Sequence, residues 1–423
     1  MLEVKKIVLP NKLRVDVVPM KSTETVAVFI KARAGSRYEG DKNRGIAHFL
    51  EHMFFKGGDR YPTPRDVAEA VDGVGGMFNA FTGNDTVGYY IKVAKENIDL
   101  AFDVLSDMLL NSKFNQDDID REKGVIIEEY NMYQDNPRAV LADEFQALMY
   151  GDHPLGKPIL GDLDFIRKAT TKDFVNYQKK LYSPANVVVV VAGNTTLAEV
   201  KQLVNKYLKL EKGSKKNIPL PYKIPQQFKT QLKVIYKKTE QAHLVIGMPT
   251  FGGLDANKYV ADVLSVILGG GMSSRLFTSI RERHGLAYYV GASHDAYADA
   301  GNFAIWAGVN VKKTDFAIKL ILDELKEIQA SPVPDKELKK AKQAIIGSMA
   351  LRLESSDAVA NGVAHQDLVY DKIETIAEIK RKYRAVTAKD VQNLAKKIFQ
   401  KNKIILAIIG PYTNKEKFAK LIK

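Results

Sequence analysis

Two long apolar segments stand at matching places in this 423-residue chain, and they constrain its fold more than any other feature. Residues 187–193 and 404–410 consist of valine, isoleucine, leucine, alanine and a final glycine. This composition is typical of strands that are buried on both faces of a sheet. Each segment closes one half of the chain, and after the first the order of predicted strands and helices begins again. The repeat predicts two similar domains that arose by internal duplication.

The segment between the two halves has the composition of a linker. Residues 209–230 contain three prolines, one glycine and one serine among several lysines, which favours turns and irregular structure. We therefore predict a first domain over 1–212, a linker over 213–228 and a second domain over 229–423. The chain is also too long for one ordinary hydrophobic core, which agrees with two domains.

Composition excludes several classes of protein. Hydrophobic residues make up 45% and charged residues 27% of the chain, as in soluble globular proteins. No run of 18 apolar residues is present, so we predict no membrane span, and the start lacks the apolar core of a signal peptide. The chain has no cysteine, which excludes disulfides and thiolate ligands, and we expect a cytoplasmic protein. The net charge of +13 is spread along the chain without a nucleic-acid-binding motif, so no nucleic-acid partner is predicted.

The pattern His-x-x-Glu-His at residues 48–52 is the strongest chemical signal. Apolar residues around it recur at helical spacing and predict a helix with one buried stripe. The stripe comprises Ile46, Phe49, Leu50, Met53 and Phe54. At about 100° per residue, His48, Glu51 and His52 fall together on the opposite face. Helical histidine pairs with a glutamate are a metalloprotease device, and this inverted order is the inverzincin signature. The alternative is a solvated polar face that holds two histidines.

A catalytic zinc needs a third protein ligand, and a second predicted helix over 116–135 offers one. Glu122 and Glu129 are seven residues apart, so they stack two turns apart, and both fall within an apolar stripe. This predicted stripe comprises Ile119, Val125, Ile126, Met132 and Tyr133. Glu128 points away from the stripe. Because a carboxylate on a buried face needs a cation or a proton, we predict Glu129 as the metal ligand and Glu122 as a second acid near the site. The alternative is a pair of solvated acids on a charged helix.

These motifs resemble the pitrilysin, insulysin and mitochondrial processing peptidase family of zinc endopeptidases. The resemblance covers nearly the whole chain. It is carried by residues 45–57, 76–82, 89–90, 121–123 and 154–161. It implies an α+β fold with two homologous domains, each a mostly antiparallel sheet packed with helices. It also implies hydrolysis of extended or unfolded peptides.

The same resemblance implies roles for individual residues. The family's metal ligands match His48, His52 and Glu129, which would hold one zinc ion per chain. Its catalytic base matches Glu51, and its supporting acid matches Glu122. The choice of Glu129 therefore has two separate grounds, the helical periodicity and the resemblance.

Further residues are predicted to contact substrate only because of the resemblance. Asn79, Ala80 and Phe81 match an edge strand that receives the peptide as an added strand, although the residues alone would favour an ordinary hairpin. Arg281 and Tyr288 match an Arg/Tyr pair that reaches the substrate from the second half. Without the resemblance they could equally be a surface cation and a core ring.

The resemblance also predicts an assembly. The family encloses substrate between four such domains, so a chain with two domains implies a homodimer. One alternative is a non-catalytic subunit of a processing-peptidase-like complex, and another is a subunit that needs a different partner chain. The intact set of His48, Glu51, His52 and Glu129 favours an active enzyme over both.

Overall fold

A computed structural model describes residues 3–210, 216–225 and 227–422 of the chain. The chain divides into two compact units, each built from an antiparallel-rich sheet and helices, which confirms the predicted α+β class. The first unit comprises Met1–Asn131, Pro158–Leu220 and Ala350–Ile376, and the second comprises Met132–Lys157, Pro221–Met349 and Ala377–Lys423. Both units therefore draw on separate parts of the sequence. The linker predicted over 213–228 lies partly outside the described residues, and the division of the chain at that segment stays a prediction.

Eleven strands form two sheets in the described part of the chain. They are β1 (Lys5–Val8), β2 (Arg14–Pro19), β3 (Thr25–Ala32), β4 (Met77–Thr82), β5 (Val87–Ala94), β6 (Val187–Gly193), β7 (Gln231–Tyr236), β8 (Gln241–Phe251), β9 (Ala287–Ala296), β10 (Ala300–Asn310) and β11 (Ile405–Gly410). The two segments predicted as fully buried strands, β6 and β11, are buried along their whole length.

The helices follow one another along the chain in a similar order in both halves. They are α1 (Ile46–Phe54), α2 (Pro64–Asp72), α3 (Ile98–Leu110), α4 (Gln116–Asp135), α5 (Pro137–Tyr150), α6 (Leu163–Lys168), α7 (Thr171–Leu181), α8 (Leu197–Tyr207), α9 (Lys258–Gly269), α10 (Thr314–Ala330), α11 (Asp335–Arg352), α12 (Ser356–Tyr370), α13 (Ile376–Ala385), α14 (Ala388–Ile398) and α15 (Glu416–Ile422). None of the helices described is long and apolar enough to span a membrane.

The first sheet has the strand order β1-β2-β6-β3-β5-β4, so β4 forms one edge. Only β2 and β6 run parallel, and all other neighbours are antiparallel. Residues of α1, α3 and α7 form the main core with one face of this sheet. The other face packs against α12, a helix from the second half of the sequence. Strand β4 and helix α1 belong to the same unit and are in contact with each other.

The second sheet has the order β7-β11-β8-β10-β9, with β7 parallel to β11. This is the order of β2-β6-β3-β5-β4 in the first sheet, and the single parallel pair lies at the same place. Helix α5, from the first half of the sequence, packs within this second unit on β8 and β11. The shared topology agrees with the predicted internal duplication.

Candidate metal centre

Helix α1 has the buried stripe that the sequence predicts. The five apolar residues of the stripe are 0–1% exposed, because they face the core formed with the first sheet. His48 is 8% exposed, and its ring lies 4.7 Å from that of His52, centroid to centroid. The alternative of a solvated polar face is therefore wrong for this helix.

The structure brings His48, His52 and Glu129 together. The Nε2 atoms of His48 and His52 lie 3.6 Å and 3.5 Å from the same oxygen, Oε2 of Glu129. One ligand atom from each of the three residues lies within 4.8 Å of the other two. Ligands that bind a tetrahedral zinc ion at about 2.0–2.1 Å are roughly 3.3–3.5 Å apart. The spacing therefore fits a single ion.

The protonation of His48 also fits a metal ligand. Burial, with a contribution from His52, lowers the pKa of His48 to about 4, so the imidazole is neutral at neutral pH. A metal binds the neutral imidazole. Two imidazoles and one carboxylate are a donor set of catalytic zinc sites, which keep the fourth position for water. The residues present are thus suited to a divalent metal ion such as zinc.

Glu122 supports His52 on the side away from Glu129. Its Oε1 lies 2.9 Å from His52 Nδ1, and its Oε2 forms an ion pair with Lys56. Burial acts to raise the pKa of Glu122, but the hydrogen bonds from His52 and Lys56 outweigh it and hold this pKa below its usual range. The ionised carboxylate accepts a hydrogen bond from His52 Nδ1–H, which leaves Nε2 directed at Glu129.

Glu51 lies next to this cluster on α1 and is held by the end of the edge strand. The hydroxyl of Thr82 donates a hydrogen bond to Glu51 Oε2. Burial raises the pKa of Glu51 above its usual range, while Thr82 and His52 oppose the shift. A carboxylate with a raised pKa is suited to taking up and releasing a proton near neutral pH.

The apolar stripe predicted for α4 is partly wrong. Ile119 and Ile126 are fully buried, and Glu122 and Glu129 follow them at helical spacing. The other three members of the predicted stripe are exposed: Val125 to 51%, Met132 to 61% and Tyr133 to 40%. Adjacent helical positions point about 100° apart, so the neighbours Val125 and Ile126 cannot share the centre of one buried face. The preference for Glu129 over Glu128 is unaffected, because Glu128 is exposed.

Strand β4 carries the three residues predicted to pair with substrate, Asn79, Ala80 and Phe81. Among the described residues β4 has one strand neighbour, β5, to which it is antiparallel. The backbone N–H of Ala80 donates to the side-chain oxygen of Asn79 at 2.8 Å. Because Thr82 ends this strand and contacts Glu51, the edge strand ends beside the candidate metal centre.

Arg281 and Tyr288 belong to the second unit, whereas the other predicted site residues belong to the first. Arg281 Nη1 donates to the backbone oxygen of Tyr288 at 2.6 Å, and the guanidinium carbon lies 5.7 Å from the centroid of the Tyr288 ring. Tyr288 is 72% exposed, so the alternative that it is a core ring is wrong. The structure thus pairs the two residues and leaves the phenol open to solvent.

Two residues of the cluster were missed by sequence reasoning. Lys56 follows His52 by four residues, and that helical spacing was an available signal for its place beside Glu122. Thr82 gave no such signal, because its contact with Glu51 joins a strand to a helix 31 residues away.

Two family models match the chain. The model described as insulinase (peptidase family M16) matches residues 16–163, and the model described as peptidase M16 inactive domain matches residues 168–345. An uncharacterized zinc protease of Streptomyces coelicolor is 33% identical over 418 residues, which cover 98% of this chain and 91% of that protein. An uncharacterized zinc protease of Bacillus subtilis is 34% identical over 415 residues, which cover 97% and 99%.

Solved structures with similar folds extend the comparison. A crystal structure of a protease from Helicobacter pylori has a TM-score of 0.91 and 25% identity, and the match covers 97% of this chain and 100% of that chain. A crystal structure of a peptidase M16 inactive domain from Pseudomonas fluorescens has a TM-score of 0.88 at 20% identity and covers 97% and 99%. The latter likeness concerns the fold alone. Similarity of sequence and of fold thus extends along nearly the whole chain.

Proposed function

Because this chain belongs to the insulinase family of peptidases, family M16, we propose that it is a zinc-dependent endopeptidase that hydrolyses extended or unfolded peptides. The observation that carries the proposal is the convergence of His48, His52 and Glu129 on one point, with Glu51 beside them on α1. The names of the relatives, zinc proteases, support the choice of metal. The family predicted from the sequence motifs is confirmed.

His48, His52 and Glu129 would hold one zinc ion per chain. Bound zinc supplies Lewis acidity, which polarises the scissile carbonyl and lowers the pKa of a water molecule. The protein's own contribution begins with the tautomer of His52. Glu122 accepts a hydrogen bond from His52 Nδ1–H and so keeps Nε2 free to act as a ligand. Lys56 neutralises the second oxygen of Glu122.

Glu51 is the proposed general base. It takes a proton from the attacking water and then returns it to the leaving amine. The Thr82 hydroxyl holds Oε2 of Glu51, so the carboxylate has a fixed orientation while it does so. The raised pKa of Glu51, caused mainly by burial, brings its proton affinity closer to that required at neutral pH.

Strand β4 is the proposed binding site for the peptide backbone. An extended peptide that pairs with Asn79, Ala80 and Phe81 would continue the sheet beyond its edge. Main-chain hydrogen bonds depend little on the side chains of the peptide, so we expect the enzyme to cleave peptides of many sequences. Arg281 and Tyr288 are proposed to contact the substrate, on the ground of the family resemblance and the exposure of Tyr288.

A second candidate function is a non-catalytic or partner-dependent subunit. The name of the family model that matches residues 168–345, an inactive domain, favours it. The retention of His48, Glu51, His52 and Glu129 in the first half favours the enzyme. We further propose that the enzyme is a homodimer and that it is cytoplasmic. Sedimentation of the purified protein would test the dimer.

Metal analysis combined with a quenched-peptide assay tests the proposed function. The purified protein should contain one zinc ion per chain and cleave an unstructured peptide. A chelator should abolish the activity, and added zinc should restore it. His52→Ala should lose both metal and turnover. A protein that binds one zinc ion per chain but cleaves no peptide, even when it is in excess over the peptide, would instead support the non-catalytic subunit.

A further inference from the structure

Helix α1 begins without a side-chain cap of its own. Its N-cap residue is Gly45, which has a φ of +96° and no side chain to offer. The carboxyl group of Glu39 takes this role. Oε2 accepts the backbone N–H of Gly45, and Oε1 accepts that of Ala47, both at 2.9 Å. The first N–H groups of a helix have no partner within the helix, so Glu39 satisfies two donors immediately before His48.

The start of α1 also packs closely on residues 161–162. A Cβ atom on Gly161 would lie 2.2 Å from the Cα atom of Gly45, so the two backbones are in direct contact. The backbone N–H of Asp162 donates to the carbonyl oxygen of Arg44 at 3.2 Å. The start of α1 is thus held both by Glu39 and by residues 161–162.

The two histidines of the metal centre are supported in different ways. His52 Nδ1 is paired with Glu122 at 2.9 Å. His48 Nδ1 is buried and has no hydrogen-bond partner among the described residues. In the described part of the chain, no side chain therefore orients the imidazole of His48 through Nδ1, as Glu122 does for His52. The placement of the His48 imidazole therefore depends on the position of its backbone. The hydrogen bond from the Ala47 N–H to Glu39 fixes that backbone one residue before His48.

We propose that Glu39 is a positioning residue for the metal centre, which fixes the first turn of α1 and thereby the imidazole of His48. The inference rests on the proposed zinc site. Each histidine then has its own positioning glutamate. Glu39 positions His48 through the helix backbone, and Glu122 orients His52 through its ring nitrogen. Neither the sequence motif nor the three ligands by themselves assign this task to Glu39.

The test is the zinc affinity of the full chain, measured by competition with a chelator, for the wild type and three variants. Glu39→Ala removes both acceptor oxygens. Glu39→Gln keeps one acceptor and is a suitable neutral comparison, because burial raises the pKa of Glu39 to about 8. The control is Thr63→Ala, which removes the N-cap of α2, a helix of the same unit that carries no predicted ligand.

Glu39→Ala should bind zinc roughly 10-fold more weakly or worse, the lower end of the loss seen when a supporting residue of a metal ligand is removed. Glu39→Gln should show a smaller loss. Thr63→Ala should lose thermal stability because it lacks a helix cap, yet bind zinc like the wild type. This combination separates positioning from general stability.

Wild-type affinity in both Glu39 variants, or an equal loss of affinity in Thr63→Ala, would overturn the inference. If Glu39→Ala does not fold, Glu39→Gln decides alone, and wild-type affinity in that variant overturns the inference. If the wild type itself binds no zinc, the proposed function fails first, and the inference fails with it. That outcome is distinct from failure at Glu39, where the wild type still binds zinc.

Discussion

Glu122 and Glu129 lie on the same buried side of α4, but their surroundings differ. Glu129 Oε2 is within 3.6 Å of the Nε2 atoms of both histidines. Glu122 faces the opposite nitrogen of His52 and the ammonium group of Lys56. The geometry therefore gives Glu129 the place of a ligand and Glu122 that of a residue that orients a ligand.

Substitution of the two glutamates should separate these roles. Glu129→Gln removes a carboxylate ligand and should abolish stoichiometric zinc binding. Glu122→Gln should weaken zinc binding by about 10–100-fold, the usual range for a residue that supports a ligand. The measurement is zinc affinity by chelator competition, with thermal stability as the control for folding. Equal losses in the two variants would contradict the assignment.

At the residue scale, much of the site could be predicted from the sequence. Helical spacing placed His48, Glu51 and His52 on one face, and burial separated Glu129 from Glu128. These arguments need only positions within a single helix. The roles of Lys56 and Thr82 depend on contacts between elements, which periodicity does not specify.

Among the elements, the prediction was accurate where one helix or strand carries a strong pattern of its own. Strand β6 and helix α1 are buried as expected. Helix α4 was predicted at its observed bounds, but the face that it buries was misjudged. Helices such as α8 and α12 were missed. The buried face of α12 includes the polar residues Ser356 and Asp367 beside its apolar residues, so no clean apolar stripe marks this helix in the sequence.

The contact between α12 and β2 includes a buried pair of acids. Asp16 of β2 and Asp367 of α12 are both 0% exposed. Lys6 lies opposite Asp16 in the β1–β2 ladder and forms an ion pair with Asp367. Arg14 lies 3.5 Å from Asp367 Oδ1. On the β6 side, the ladder partner of Asp16 is Val190, which carries no charge. Burial, reinforced by the charge of Asp367, raises the pKa of Asp16 to about 7 from an ordinary value of 3.8.

This pair predicts a pH dependence of stability. Because the folded state raises the pKa of Asp16, it binds the proton more tightly than the unfolded state does. The stabilisation is fully present below pH 3.8 and is lost as pH rises through about 7. At 1.36 kcal/mol per pKa unit the effect is a few kcal/mol. Asp16→Asn should reduce the loss of stability between pH 5 and pH 8, as followed by urea unfolding. Identical pH profiles for wild type and variant would contradict this account.

At the scale of the whole molecule, the sequence predicted two similar halves, and the strand order of the two sheets agrees with this. It did not predict that α5 belongs to the second unit and α12 to the first. Which sheet a helix covers depends on contacts between distant parts of the chain. An apolar stripe shows that a helix is buried on one face, but it does not identify the sheet against which that face packs. A cut in the segment 213–228 would separate each of these helices from its own unit.

The proposed enzyme needs residues from both halves, and Tyr288→Phe tests this requirement. The phenol is 72% exposed, so its loss should leave zinc content and thermal stability unchanged. If it donates a hydrogen bond to the developing oxyanion, turnover should fall about 100-fold, which corresponds to roughly 3 kcal/mol for one such donor. Tyr236→Phe, at another exposed tyrosine of the second unit, is the matched control. Normal peptide turnover in Tyr288→Phe would exclude this role.

The central claim is that a metal held by His48, His52 and Glu129 acts with Glu51 as the base. The most direct test is the peptide turnover of Glu51→Gln, measured on a sample whose zinc content is determined at the same time. The amide has nearly the shape of the carboxylate but cannot take the proton from water. We predict one zinc ion per chain, wild-type thermal stability and turnover lower by about 10²–10⁴-fold. Near-normal hydrolysis by a zinc-loaded Glu51→Gln enzyme would contradict the account.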